Sequence, residues 1–362
     1  MLQSDKVSFR QLMICIVLGL FSPAVRILPS FTVTIAGNAA WVAPIAAIVP
    51  TIIYMLILTS FIKYRHDGEN LSHMFMRSIG TIPGKLILAV YIIWLIFYSS
   101  FILRTAAERL MSSVYDNGTE GIFLVITIIV SAIAASGKTK ALFRTAEVFL
   151  PIIVTVIAVV LILAISEMKP QNLLPVSYLD TTPILIAVLP IINIICISEY
   201  YMFLSGDIAP SGREWAVGVK WIMLSLAIIF AESVFTIGTL SAELTDKIQN
   251  PFFIMIRNIK TLGVAERIES IVLGLWVVTD FLFLGALIMI IAQLGKDVCN
   301  TQSRKGFVWP VTIIILTISI FISPDAFTLK KMSIELIPTV NMFFGFIILP
   351  FIFIIGKLRK KI

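Results

Sequence analysis

Apolar residues run along this chain in long unbroken stretches, with polar and charged residues gathered in the gaps between them. The stretches cover about 9–35, 39–62, 84–113, 119–136, 141–165, 183–206, 214–239, 268–296, 307–323 and 333–356. A bilayer core about 30 Å thick takes roughly 20 helical residues, close to the length of these runs. In hydrocarbon every backbone polar group needs an internal partner, and the runs lack the two-residue alternation of a barrel strand. The expected fold class is therefore all-α: ten transmembrane helices in one integral-membrane domain, residues 1–362.

Composition sharpens that picture. The 362 residues are 59% hydrophobic and 14% charged, with a mean hydropathy of +1.01, whereas about 25% of a soluble domain is charged. The opening MLQSDKVSFR precedes a long apolar run without a small-residue cleavage pattern, so a retained first helix is expected, not a removed signal peptide. With the N-terminus inside, the inner segments hold 18 of the 28 Lys and Arg and the outer ones 7, leaving Arg26, Arg104 and Arg109 near helix ends. The positive-inside rule then places both termini in the cytoplasm. This asymmetry and the KLRKK tail account for the net charge of +7, so nucleic acid needs no place among the partners. Cys15, Cys196 and Cys299 lie in or beside apolar runs, and His66 and His73 share a polar loop, so no disulfide framework, metal or cofactor is expected.

Ten helices divide into two fives, and an odd number makes the second half enter the membrane from the opposite side. Inverted repeats are thus topologically open. In transporters built that way the site lies at the midplane, where the first helix of each half is interrupted. Helix 1 carries Gly19 and Pro23 near its middle and Pro29 after them; helix 6 carries Pro190, Asn193 and then Ser198 and Glu199. Each can be a functional break or a plain kink, since proline removes one helix hydrogen bond in either case.

Several segments resemble the spore germination permease family. They are KVSFRQLMICIVLG at the start, AGNAAW before helix 2, RTAEVFLP in helix 5, SEYYMFL in helix 6 and NPFFIMIRNIKTLGVAERIESIVLGLWVV leading into helix 8. ERIES with Trp276 close behind is the most specific piece. The resemblance implies a LeuT-type fold of the amino acid–polyamine–organocation superfamily, with an inverted five-plus-five repeat and a germinant pocket between helices 1, 3, 6 and 8. It also implies assembly with germinant receptor A and C subunits in the inner membrane of the spore. Gly19-Leu20-Phe21-Ser22-Pro23 stands where many amino acid transporters of that superfamily carry a glycine-rich stretch.

Ionisable groups inside membrane helices are costly and mark candidate sites. Asp280, beside Thr279 near the middle of helix 8, is expected either to contact a ligand amine or cation or to make a buried hydrogen bond. Glu199, with Ser198 just past the helix 6 break, could take a proton, brace the unwound segment or pair with a loop arginine. Tyr91, Trp94 and Tyr98 share one face of helix 3 by their spacing, and Tyr98 faces the implied pocket. The candidate ligand-binding set is Gly19, Ser22, Pro23, Tyr98, Ser198, Glu199, Thr279 and Asp280. Glu147 is expected to pair with Arg144 as a brace, Arg267 and Glu269 to orient helix 8 or meet a partner domain, and Arg104, Glu108 and Arg109 to snorkel at the outer interface. No nucleophile–base pair or phosphate loop stands out, so no enzymatic activity is expected. The chain reads as a germinant-sensing subunit; the alternative is a proton- or cation-coupled amino acid transporter, and a ligand-opened water or ion pathway fits either.

Overall fold

The computed structural model describes residues 7–114, 120–248, 250–259, 265–322 and 326–361, and within these nothing is said of the side chains at 27, 112–114, 120, 265–267 and 326. The expected run ends at 119 and 323 lie outside the described residues. Among the described residues the protein is all-helical apart from one short strand pair. Its main helices are α1 (Phe9–Ala36), α2 (Ile48–Lys63), α3 (Thr81–Val114), α4 (Glu120–Ser136), α5 (Thr139–Ala164), α6 (Thr181–Cys196), α7 (Glu214–Leu240), α8 (Ala265–Cys299) and α9 (Lys305–Phe321). A segmented end follows: α10 (Ala326–Ile334), α11 (Leu336–Phe343), a π-helical stretch Phe344–Ile348 and α12 (Leu349–Leu358). Among the described residues, 8 spans are long and apolar enough to cross a membrane, while Gly121–Ser136 and Lys305–Phe321 are shorter apolar helices.

The helices are apolar nearly all round, as helices set in lipid must be. On α3, Ile82, Leu86, Val90 and Ile93 are exposed at helical spacing, whereas Tyr91, Leu95 and Tyr98 on another face are buried. The first faces lipid and the second faces protein. Helix contact in such a bundle relies on close packing, because lipid tails are as apolar as leucine. Gly285 shows the device: a Cβ there would meet the Ser131 carbonyl oxygen at 3.2 Å, so a larger residue would push α8 and α4 apart by a few tenths of an ångström. In the apolar windows starting at Phe9 and Ile268, 83% and 78% of residues are buried, against 28% in the Thr139–Glu167 window. Helices α1 and α8 thus form the centre and α5 the rim.

Helix α1 is continuous over 28 residues, with Pro23 and Pro29 inside it. Of the two readings of Gly19–Pro23, break or kink, the structure shows no break. Proline at 23 removes one bond, that to the Gly19 carbonyl, and its fixed φ suits a helix; burial against α5, α6, α7 and α8 holds the rest of the ladder. The start is fixed by a capping box, in which Ser8 Oγ accepts from Gln11 N at 3.3 Å and Gln11 Oε1 from Ser8 N at 3.1 Å. Helix 6 is interrupted instead at Ile197, four residues past Asn193. It resumes as a single turn, Ser198–Tyr201, and tightens into a 3-10 helix over Met202–Asp207.

The two ends of the bundle are tied differently. At one end strand β1 (Val7–Ser8) pairs in parallel with β2 (Ile208–Ala209). There Arg65 donates to the carbonyls of Ser205 and Ile208, and Arg359 donates to the Ser78 carbonyl at 3.1 Å. At the other end Asp246 gathers Thr34 Oγ1 at 2.5 Å and Lys330 Nζ, on its carbonyl oxygen, at 3.4 Å. The short helix Pro251–Arg257 turns inward: Phe252, Phe253, Met255 and Ile256 are buried with Trp276 and Val160.

Candidate functional site

The buried polar groups fall into two clusters with a cavity beside them. The first is centred on Asp280 of α8, 3% exposed. Ser22 Oγ of α1 donates to its Oδ1, and Arg109 Nη2 of α3 donates to its Oδ2. Arg109 is itself buried and lies over the Trp276 ring, 4.7 Å from the centroid. This corrects its expected place at the interface. An arginine near a helix end snorkels only where water is in reach, and here Trp276 and Asp280 enclose it. Arg104 is only partly buried. Of the residues flanking the pair, Thr279 Oγ1 donates to the Trp276 carbonyl at 2.7 Å.

The second cluster forms around Glu199, fully buried just past the interruption in helix 6. Tyr91 of α3 donates to one carboxylate oxygen, and the other has no hydrogen-bond partner among the described residues. A chain of amides and aromatic groups continues from there. Trp94 Nε1 donates to Tyr200 Oη and Asn341 Oδ1, both at 3.0 Å; Tyr200 Oη donates to Asn341 Oδ1 at 2.7 Å, and Asn341 Nδ2 to Asn193 Oδ1 at 3.1 Å. The network joins α3, helix 6 and α11. Ser198 Oγ is used locally, donating to the Ile195 carbonyl at 2.7 Å.

Beside the clusters lies a narrow cavity bordered by Pro23, Arg26, Tyr98, Pro190, Asn193 and Ile197, with Ser333 and Ile337 also in its wall. It opens between α1, α3, helix 6 and the α10–α11 corner. Pro23 and Tyr98 of the expected set border it. Gly19 instead seats Tyr201: a Cβ on Gly19 would lie 2.0 Å from Tyr201 Oη and 3.2 Å from Phe283.

The remaining sequence-derived residues are at the bundle ends. Glu147 pairs with Arg10 at 2.6 Å and accepts from Gln11 Nε2 at 2.9 Å, which corrects the expected Arg144 partner and braces α5 against the start of α1. Glu269 pairs with Arg257 Nε at 3.4 Å, tying the start of α8 to the Pro251–Arg257 helix. The side chain of Arg267 lies outside the described residues. Sequence reasoning missed Arg109 as the partner of Asp280, and it missed the Asn193–Asn341 link and Arg26 in the cavity wall. A signal existed for the first: a midplane acid needs a cation, and Arg26, Arg104 and Arg109 are the arginines near the ends of its neighbours' apolar runs.

The spore germination protein family profile matches residues 6–326. The chain belongs to that family. Among solved structures it is similar to a manganese transporter from Eremococcus coleocola, determined in complex with an aromatic bis-isothiourea substituted compound. Identity is 15%, the match covers 96% of this chain and 78% of that one, and the TM-score is 0.49. The comparison with curated proteins gives no match. As a spore germination protein, the chain is a multi-pass membrane protein whose buried polar clusters lie inside a permease-type helical bundle.

Proposed function

We propose that this chain is the membrane-embedded germinant-sensing subunit of a spore germinant receptor. It binds a small nutrient such as an amino acid at mid-depth and acts with A and C subunits in the inner membrane of the spore. The family match over residues 6–326 carries this reading. Ten crossings are read from the apolar runs and cytoplasmic termini from the basic residues, and an inverted repeat is supported by how the helices pair. α1 packs on α6, α2 on α7, α3 on α8 and α4 on α9, each helix meeting the one five places later.

A sensor needs two states that its ligand distinguishes. The cavity touches both moving candidates, α1 through Pro23 and helix 6 through Ile197, and it ends against Tyr98 and Asn193. A nutrient lodged there favours one setting of helix 6 relative to α3. The Tyr91–Glu199 contact, one residue pair away from that interruption, then changes with it. In this reading Gly19, Ser22, Ser198, Thr279 and Asp280 frame the pocket rather than close around the ligand. Glu147 and Glu269 hold the two ends.

The second reading, a proton- or cation-coupled amino acid transporter, is favoured by one observation: a buried carboxylate oxygen of Glu199 has no hydrogen-bond partner among the described residues. Saturation binding of labelled amino acids, nucleosides and sugars to the purified chain, with co-purification of A and C subunits, tests the sensing role. Binding of one class at a single site supports it. Failure of every class to bind, with no associated subunits, overturns it.

A further inference from the structure

About 540 Å³ of empty space lies between α1, α3 and α10, at the end of the bundle that carries the 241–258 connection. Arg26 borders both this outer space and the deeper cavity. It is 8% exposed, and its Nε and Nη2 are buried without a hydrogen-bond partner among the described residues. Its guanidinium lies 5.7 Å from the Phe101 ring centroid, a contact that offsets only part of the cost of burying a cation. Arg109, on the same wall, shows what a satisfied arginine looks like here, with Asp280 on one side and Trp276 on the other.

The charges lining the outer space are Arg26, Arg109 and Lys330 against Glu108. Asp280 neutralises Arg109. Lys330 reaches the backbone carbonyl of Asp246 at 3.4 Å and Glu108 shares the wall with Arg26, so what an anion would meet here is the pair of unpartnered guanidinium nitrogens. Asn250 Oδ1 is also buried in this wall without a partner among the described residues.

We propose that Arg26 anchors the acid group of a small monocarboxylate at the junction of the outer space and the deeper cavity. A guanidinium presents two parallel N–H donors that match a carboxylate, and its two unpartnered nitrogens are available for this contact. The position gives the site a second property. Arg26 also lines the deeper cavity, so an anion held on it changes the wall of that cavity as well. The anion site rests on the sensing role only in being placed where a nutrient would pass; its own chemistry stands independently.

The test uses the purified full chain and three probes of one size: sodium propionate, propionamide and propylammonium chloride at equal ionic strength. Saturable thermal stabilisation by propionate alone is expected. Arg26→Gln is expected to raise the propionate Kd by about ten- to a hundredfold, the loss of one charge-assisted contact, and Arg26→Lys to fall between. Equal shifts from propionate and propionamide in the wild-type protein overturn the proposal, as does a folded Arg26→Gln that keeps the wild-type Kd. If that variant does not fold, the wild-type comparison decides alone. Loss of the anion site leaves germinant sensing standing when the nutrient panel still binds.

Discussion

Asp280 and Glu199 are both buried carboxylates within the helical bundle, yet their surroundings are opposite. Both oxygens of Asp280 are engaged, one by Ser22 and one by Arg109, so three helices are pinned at one point. Glu199 has one oxygen on Tyr91 and one without a partner among the described residues, within rings that include Tyr200 and Phe203. The difference separates a clamp from a responsive group. An acid already matched by arginine offers little to a ligand amine, whereas an acid with an unused oxygen gains from a proton, a cation or a moved neighbour. Position near the midplane does not by itself assign a role; the partners do.

The largest effect is expected from breaking the clamp on one side. Arg109→Leu leaves a buried charge uncompensated and is expected to lower stability by about 3–5 kcal/mol, read as the unfolding transition of the purified protein. Removing both charges in Arg109→Leu with Asp280→Leu is expected to recover most of that loss. If the double variant is no more stable than the single one, the two residues are not coupled.

Next in size is Gly19→Leu. The side chain would enter the place of the Tyr201 phenol, an overpacking expected to cost about 1–3 kcal/mol. Tyr201→Ala in the same chain is expected to restore the transition. Lack of rescue would show that Gly19 is needed for something other than room.

Glu199→Gln keeps the shape and, if Glu199 is the responsive group, changes stability by less than about 1 kcal/mol. It is expected to flatten the pH dependence of nutrient binding. An unchanged pH profile would make Glu199 a second structural acid and remove the contrast with Asp280.

The smallest effect belongs to a carboxylate outside the bilayer. Glu243 accepts from Lys247 at 2.7 Å on an exposed turn, and that hydrogen bond holds its pKa below the ordinary carboxylate range. A folded-state pKa below the unfolded one contributes stability above the unfolded pKa, lost as pH falls through the folded value. At a fully exposed site salt screens the contact, so Glu243→Gln is expected to leave the unfolding transition unchanged at neutral pH. A measurable shift would mean that this connection bears on packing more than its exposure suggests.

The helices were legible because lipid demands long apolar runs, and Asp280 and Glu199 stood out because ionisable groups inside such runs are rare. What the sequence left open is set by tertiary partners. Pro23 reads alike in a broken and in an unbroken helix, and burial of α1 among four neighbours decides for continuity. Glu147 has Arg144 nearby in sequence, but the fold brings Arg10 to it from 137 positions away. Arg109 lies near the end of a long run, where snorkelling is the usual outcome, and only the position of Trp276 shows that it points inward. In helix 6, Pro190 sits inside α6 and the interruption comes at Ile197, just before Ser198 and Glu199.

The most direct measurement sets binding and transport of one labelled nutrient side by side in the same liposomes, with the purified chain reconstituted and a proton gradient imposed. A sensing subunit is expected to show saturable binding, reduced or made pH-independent by Glu199→Gln, with no accumulation inside the vesicles. Accumulation above the outside concentration that collapses with the gradient would contradict sensing as the chain's function and establish the coupled transporter in its place.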